Sequence, residues 1–164
     1  MHPKALLLDA AGTLIEPAEP IGVLYQRFFA RHGFETNRAA LQAAFRETFA
    51  SLPELDFDRF PDGHEAERAW WRELVETAAR QVGLDPAGSN HGAFDRCFGE
   101  LFDHYARGTA WRPFPELDEF LDRATALGLR LAVVSNFDYR LHQVIDELGL
   151  SHRFEFILSG KDEA

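Results

Sequence analysis

Two short polar segments carry the side chains best suited to chemistry. They are Asp9-Ala10-Ala11-Gly12-Thr13 and Ser135-Asn136. A carboxylate such as Asp9 can attack an electrophile and form an aspartyl intermediate, while the hydroxyls of Thr13 and Ser135 can donate hydrogen bonds. Gly12 permits a tight turn whose backbone N–H groups can face an anion. The same residues also suit ordinary turns and helix caps, so spacing alone leaves both interpretations open.

Each polar segment follows a predicted strand. Residues 5–8 form an unbroken apolar run, typical of a strand that is covered on both faces. A second, mostly apolar run at 129–134 ends at the other polar segment, and 154–158 is a third strand candidate. Ligands bind at the carboxyl ends of parallel strands, which favours a site there.

A block of helices separates the first strand from the others. Apolar residues recur at helical spacing in four segments between residues 16 and 110, with Asn37 and Asp62 as candidate N-caps and Gly33 and Gly83 as candidate ends. Two further helices alternate with the strands after residue 111, where 111–115 is a stiff, proline-rich connector. The order predicts an α/β fold with a parallel sheet, interrupted after its first strand by a helical insertion without strands.

Composition and charge exclude several classes of function. The 164 residues are 46% hydrophobic, with 15 Phe, so the chain must bury a core. A net charge of −10 argues against nucleic-acid or anionic-membrane partners and leaves small molecules open. One cysteine permits no intramolecular disulfide, and the N-terminal apolar run is too short for a signal sequence or a membrane span. We therefore expect a cytoplasmic protein.

The two polar segments, taken with their flanking residues, resemble a known family. The segments 7–14 (LLDAAGTL) and 133–138 (VVSNFD) look like the first two motifs of the haloacid dehalogenase superfamily of hydrolases. Residues 111–113 and 128–129 look like that family's return to its core after a helical cap. The resemblance implies a Rossmann-like parallel-sheet core formed by residues 1–15 and 111–164, C-terminally incomplete, with an α-helical cap at 16–110.

The resemblance also implies roles for individual residues. Asp9 would be the nucleophile and a magnesium ligand, and the backbone carbonyl of Ala11 would be a second magnesium ligand. Substrate binding would fall to Gly12, Thr13, Ser135 and Asn136. Magnesium suits this site because it accepts oxygen ligands and neutralises charge between a carboxylate and a phosphate. The implied activity is hydrolysis of a small phosphorylated metabolite through an aspartyl-phosphate.

One departure from the family pattern concerns the general acid. Phosphatases of this family usually carry a second aspartate where this chain has Ala11, and proton transfer of that kind contributes roughly 10² to 10⁴-fold. Dehalogenases need no such acid because halide leaves unprotonated, so a 2-haloacid dehalogenase is an alternative. Phosphonate hydrolases resemble this loop but need a cap lysine, and the only lysines here are Lys4 and Lys161. We therefore set that branch aside.

The second departure concerns the C-terminal end. The family's third motif contains a lysine, for which Lys161 comes too soon after Ser159, and its fourth is an acidic pair, for which Asp162 and Glu163 are poor candidates. We expect the chain to end before both motifs, which makes an inactive fragment or binding module another alternative. The strand at 5–8 would then expose one edge, and we expect self-association there.

The remaining polar residues are interpreted as structural. The histidines are His2, His32, His64, His91, His104, His142 and His152, and their spacing does not suggest metal ligands. Cys97 lies on an apolar helix stripe, and Trp70 and Trp71 suit packing. Arg27 and Arg31 share a helix face that could meet an anionic substrate but more simply faces solvent.

Overall fold

The computed structural model describes residues 4–56, 60, 62–88 and 91–160. Contacts divide the chain into two units: an α/β unit formed by Met1–Ala18 and Tyr105–Ala164, and a helical unit formed by Glu19–His104. The sequence candidates His2, Lys161, Asp162 and Glu163 lie outside the described residues, as does the side chain of His91.

The bounds of the secondary-structure elements are as follows. The strands are β1 (Ala5–Leu8), β2 (Ile15–Pro17), β3 (Trp111–Pro113), β4 (Arg130–Val134) and β5 (Ile157–Leu158). The helices are α1 (Ile21–Arg31), α2 (Arg38–Ser51), α3 (Gly63–Gln81), α4 (His91–His104), α5 (Leu117–Ala126) and α6 (Leu141–Glu147). Within the part of the chain that the structure describes, no helix combines the length and apolar character needed to cross a membrane.

The α/β unit contains the predicted parallel sheet, which confirms the α/β fold class. Its strand order is β1-β4-β5, both pairings are parallel, and Leu8 of β1 lies opposite Val133 of β4. Apolar side chains from the strands, α5 and α6 form one core, including Leu8, Leu14, Ile15, Leu121, Val133, Leu141, Val144 and Ile145. This packing fixes β1 beside β4, so their carboxyl ends are neighbours.

A second, two-stranded sheet was missed by the sequence analysis. β2 pairs antiparallel with β3, with Glu16 opposite Arg112, and both strands belong to the α/β unit. The expectation that residues 16–110 lack a strand, and that 111–115 is only a connector, is therefore wrong. Three-residue strands with prolines are too short to show alternation, so the boundary predicted at residue 15 cuts through β2.

Two other strand bounds differ from the expected ones. β4 begins at Arg130 rather than at 129, and the candidate at 154–158 reduces to Ile157–Leu158. Backbone bonding nevertheless starts earlier, because the Glu155 N–H donates to the Leu131 carbonyl at 2.8 Å. The 154–158 segment therefore lies beside β4 as expected, although only Ile157–Leu158 has strand geometry.

The described part of the helical unit contains four α-helices, several of whose ends follow the predicted capping signals. The Asn37 side chain accepts hydrogen bonds from the backbone of Ala39 and Ala40, and Asp62 accepts one from His64. Gly33 and Gly83 adopt positive φ values just after α1 and α3. Aromatic rings fill much of the interior, and their contacts include Phe29–Phe94, Phe29–Phe34 and Tyr25–Phe45. Capping and periodicity thus account for this unit from local sequence.

Candidate active site

Asp9 and Ser135, which are 126 residues apart in sequence, are joined by a hydrogen bond. The Ser135 Oγ donates to Asp9 Oδ1 at 2.6 Å, and the Ala10 backbone N–H donates to the same oxygen at 2.7 Å. The contact follows from the sheet, because Asp9 comes directly after β1 and Ser135 directly after the adjacent β4. The parallel sheet therefore brings together the two segments that the sequence singled out.

The second oxygen of the Asp9 carboxylate faces a different environment. Asp9 is exposed, and no described residue donates a hydrogen bond to its Oδ2. Two donors fix Oδ1 and thereby set the orientation of the whole carboxylate group. Oδ2 is consequently the oxygen that is available to an external electrophile or cation.

The turn after β1 is held by hydrogen bonds within itself. The Ala10 carbonyl accepts from the backbone of Thr13, Leu14 and Ile15, and Gly12, with φ of 83°, donates to the Ile15 carbonyl. The N–H group of Gly12 itself is therefore used inside the turn. Among the described residues, the N–H and carbonyl of Ala11 have no backbone partner, and both remain available to a ligand.

The segment after β4 orients the Ser135 hydroxyl. Its Oγ accepts a hydrogen bond from the Phe137 N–H at 3.2 Å, and the Phe137 carbonyl accepts one from Gly160 at 2.9 Å. Because Phe137 donates to the oxygen, the hydroxyl proton is left to point at Asp9. Asn136 is exposed between these two residues, and Thr13 is exposed in the turn after β1.

Asp138 and Arg140, at the end of the segment after β4, form a buried ion pair. The sequence analysis assigned this pair no role. The Asp138 carboxylate accepts from Arg140 through the backbone N–H at 3.0 Å, Nε at 2.8 Å and Nη2 at 2.5 Å. The side chains of Asp138 and Arg140 are only 3% and 5% exposed. The sequence did contain a signal for this pair, because an acid and an arginine stand two residues apart just after the Ser135-Asn136 segment.

Charged candidates in the helical unit have partners within that unit. Arg27 donates to both carboxylate oxygens of Glu19 at 2.9 Å, and this hydrogen bonding lowers the pKa of Glu19. Arg31 lies over the Phe28 ring at 5.2 Å. Burial raises the pKa of the Cys97 thiol to about 12, so that thiol is a core group rather than a nucleophile.

Two histidines of this unit have contacts that account for their positions. His32 Nε2 lies 3.1 Å from a carboxylate oxygen of Glu100, and the His104 ring packs against Phe28 with centroids 5.5 Å apart. Among the described residues, no group of three or more His, Cys, Asp or Glu side chains is arranged to hold a metal ion. These contacts give His32 and His104 packing and ion-pair roles.

Comparison with known proteins identifies the family. The family model for haloacid dehalogenase-like hydrolases matches residues 3–164, and the chain belongs to that family. It is 29% identical over 159 residues to the haloacid dehalogenase-like hydrolase domain-containing protein 3 of Bos taurus, covering 96% of this chain. The chain spans 61% of that relative's length.

Solved structures show the same fold at low sequence identity. An L-2-haloacid dehalogenase is similar with a TM-score of 0.65 and 21% identity, covering 97% of this chain and 64% of that one. A predicted phosphoglycolate phosphatase from Haemophilus somnus 129pt is similar with a TM-score of 0.60 and 18% identity, covering 98% and 64%. The fold is therefore common to neighbours described as phosphatases and as dehalogenases.

Proposed function

We propose that the protein is a magnesium-dependent phosphatase that acts on a small phosphorylated metabolite through an aspartyl-phosphate at Asp9. The observation that carries the proposal is the asymmetry of the Asp9 carboxylate, in which Oδ1 is held by two donors and Oδ2 by none of the described residues. An exposed carboxylate oxygen at the carboxyl end of a parallel strand is well placed for nucleophilic attack.

The proposed chemistry has two steps. Asp9 Oδ2 attacks the phosphorus atom, the phosphorus–oxygen bond to the leaving group breaks, and the leaving oxyanion takes a proton from water. Water then attacks the aspartyl-phosphate, releasing inorganic phosphate and restoring the carboxylate. The N–H groups of Ala11 and Asn136 would donate hydrogen bonds to the transferring phosphoryl group, and the Ser135 hydroxyl, which donates to Asp9 Oδ1, would hold that oxygen so that Oδ2 attacks. Thr13 and the turn shaped by Gly12 would border the substrate.

The residues present fit a weakly held magnesium ion. Magnesium in proteins often binds through one or two carboxylates plus substrate phosphates, and keeps several waters. Asp9 Oδ2 and the Ala11 carbonyl, neither of which accepts a hydrogen bond from a described residue, would hold it. When bound, the ion would neutralise charge between the carboxylate and the phosphate.

This donor set predicts that magnesium binds weakly by itself. We expect a small rise in the unfolding temperature with magnesium alone and a larger rise when inorganic phosphate is also present, because phosphate supplies the remaining ligands. Asp9→Asn should remove the magnesium response, and Asp118→Asn, a matched change at an exposed position on α5, should retain it. Tight binding of magnesium without phosphate would contradict the proposed donor set.

A dehalogenase is the second candidate, and Ala11 is the residue that favours it. In that reaction Asp9 Oδ2 attacks the carbon that bears the halogen, the carbon–halogen bond breaks, and halide leaves with the bonding electrons. Water then hydrolyses the ester. No proton donor is needed at the position of Ala11, which carries only a methyl group.

Asp9→Asn tests the proposal directly. The unmodified chain should hydrolyse an activated aryl phosphate, and the variant should lose turnover by a factor of about 10³ or more because its nucleophile is gone. Asp118→Asn should keep full activity. Halide release from a 2-haloacid without phosphate release would favour the dehalogenase, and absence of both activities would favour an inactive fragment or a binding module.

We also propose that the chain described here associates with a second copy through the free edge of β1. Among the described strands, β1 pairs only with β4, and Leu7 on β1 is 61% exposed. Lys4 precedes the strand and Asp9 follows it, so two antiparallel copies would bring opposite charges together. Light scattering should show dimers or larger species, and Leu7→Lys should shift them towards monomer; a monomeric unmodified chain would contradict the proposal.

The proposed setting is a reducing compartment such as the cytoplasm. Cys97 is the only cysteine of the chain, and it is buried. A small phosphorylated molecule is the proposed partner, because the net charge of −10 disfavours nucleic acid and anionic membranes.

A further inference from the structure

The buried pair of Asp138 and Arg140 lies close in sequence to Ser135, whose hydroxyl donates to Asp9. We infer that this ion pair is a positioning device that sets the direction of the Ser135 hydroxyl towards Asp9. The inference rests on the proposed function, in which Ser135 assists attack by Asp9. Asp138 follows Phe137, whose N–H donates to Ser135 Oγ, so the effect of the pair would pass through this segment.

The first step of the argument is the rigidity of the pair. Asp138 accepts three hydrogen bonds from Arg140, one from the backbone and two from the guanidinium, and both side chains are almost fully buried. The Asp138 carbonyl also accepts from the Leu141 N–H at 3.0 Å, at the start of α6. The planar guanidinium fixes the geometry in a way that a lysine ammonium cannot.

The second step is the direct chain connection from Asp138 to Phe137. The Phe137 carbonyl accepts a hydrogen bond from the Gly160 N–H, and the Phe137 ring packs against the Trp111 ring with centroids 5.1 Å apart. With Asp138 fixed on its other side, the Phe137 peptide has little freedom to rotate. Its N–H therefore stays directed at Ser135 Oγ, 3.2 Å away.

The third step is the effect on the hydroxyl. Because its oxygen accepts from Phe137, the Ser135 proton is directed at Asp9 Oδ1 rather than at a backbone carbonyl. That hydrogen bond holds Oδ1 and leaves Oδ2 as the attacking oxygen. Loosening the ion pair should therefore misdirect the hydroxyl without removing any group that touches the substrate.

The test compares two conservative changes in the full chain. Arg140→Lys keeps the charge but loses the paired guanidinium contacts, and Arg153→Lys makes the same change in an ion pair with Asp122 elsewhere in the α/β unit. Arg140→Lys should lower kcat at least tenfold with KM changed less than threefold, whereas Arg153→Lys should leave both unchanged. Unfolding midpoints measured alongside establish that each variant is folded under the assay conditions.

A second background separates positioning from stability. In Ser135→Ala protein, Arg140→Lys should change kcat less than twofold, because the hydroxyl through which it acts is already absent. An equal loss of kcat in both backgrounds would overturn the inference. The inference would also be overturned if the Arg140→Lys variant were folded and had the same kcat as the unmodified chain.

A measurement that needs no activity keeps the inference separate from the proposed function. Hydrogen exchange of the Phe137 amide should become at least tenfold faster in Arg140→Lys, while the Val133 amide in β4 should exchange as before. If the unmodified chain has no hydrolytic activity, the proposed function fails, and the exchange result alone decides the positioning role. Unchanged exchange at Phe137 would overturn it.

Discussion

The two units of the molecule use their charged and polar side chains in different ways. In the helical unit, Arg27 is bound by Glu19, and Arg68 lies over the rings of Phe98 and Phe102. In the α/β unit, by contrast, the exposed Asp9 keeps one carboxylate oxygen without a donor from the described residues. The helical unit thus uses reactive residue types for its own stability, whereas the α/β unit leaves one of them available for chemistry.

This difference shows that residue type alone does not indicate a site. Arginine, histidine and cysteine all occur in the helical unit, and the structure gives Arg27, His32 and Cys97 structural surroundings. Asp9 is distinguished by its place at the end of a parallel strand beside Ser135, not by being acidic. Position within the fold therefore separates the candidate site from the surrounding charged surface.

The largest expected effect concerns the missing general acid in the α/β unit. With Ala11, hydrolysis should depend steeply on the leaving group, so that aryl phosphates react far faster than alkyl phosphates. Ala11→Asp should raise the rate for alkyl phosphates by about 10² to 10⁴-fold and change that for activated aryl phosphates much less. Steady-state kinetics on both substrates measure the gap.

The control for this variant is Ala18→Asp, which adds a carboxylate just after β2 and outside the turn that contains Ala11. Ala10→Ser is unsuitable as a control because Ala10 is buried. Ala18→Asp should leave the gap between substrates as wide as before. Equal rates for aryl and alkyl phosphates in the unmodified chain would show that another residue already donates the proton.

The next effect concerns how closely the helical unit is packed. Gly22 donates to the Gln42 side chain at 2.9 Å, and a Cβ at Gly22 would lie 2.1 Å from the Arg38 carbonyl oxygen. Gly22→Ala should therefore force α1 and α2 apart and cost about 2 to 3 kcal/mol in free energy of unfolding. Denaturant unfolding measures the loss, and hydrogen exchange should show it at Phe29.

The matched control is Gly99→Ala in α4. A Cβ there meets nothing nearer than Arg68 Nη2 at 3.7 Å, and alanine is favoured over glycine inside a helix by about 1 kcal/mol. This variant should be as stable as the unmodified chain or slightly more so. If Gly22→Ala were equally harmless, the close contact between α1 and α2 at Gly22 would not limit the side chain there.

A smaller effect concerns the arginines that lie over phenylalanine rings. The Arg68 guanidinium lies 4.7 Å from the Phe102 ring centroid and 5.3 Å from that of Phe98. Arg68→Ala should lower the free energy of unfolding by about 1 kcal/mol. Arg96→Ala removes an exposed arginine from α4 and should cost less than half as much; equal losses would show that stacking contributes nothing here.

Local sequence signals were sufficient for much of the fold and for the centre of the candidate site. The apolar run at β1, the caps at Asn37 and Asp62, and the Ser135-Asn136 segment after β4 each act over a few residues, and each was predicted correctly in position. The expectation that β1 is covered on both faces is wrong, because Leu7 is 61% exposed. The β2–β3 pair was not predictable, because its partners are distant in sequence and only three residues long. Long-range pairing of short segments leaves no periodic pattern to detect.

Parts of the site were also beyond local sequence patterns. That Asp9 Oδ1 rather than Oδ2 would be held, and that the Gly12 N–H would turn inward, depend on hydrogen bonds formed only after folding. The pairing of Asp138 with Arg140 has a visible spacing, but its burial depends on packing from the rest of the unit. The sequence singled out Asp9 and Ser135, and the structure distinguishes the two oxygens of the Asp9 carboxylate.

The smallest expected effect is a pH dependence of stability in the helical unit. Burial, reinforced by the nearby charge of Arg27, lowers the pKa of His104 from its ordinary value of 6.5. Between the folded and unfolded pKa values the unfolded chain binds more protons, so stability should fall as pH drops below about 6.5. His104→Phe retains the ring contact with Phe28 but cannot titrate, and should flatten this decline between pH 7.5 and 5.5. Urea unfolding of both proteins across that range measures it; parallel curves would show that His104 makes no contribution.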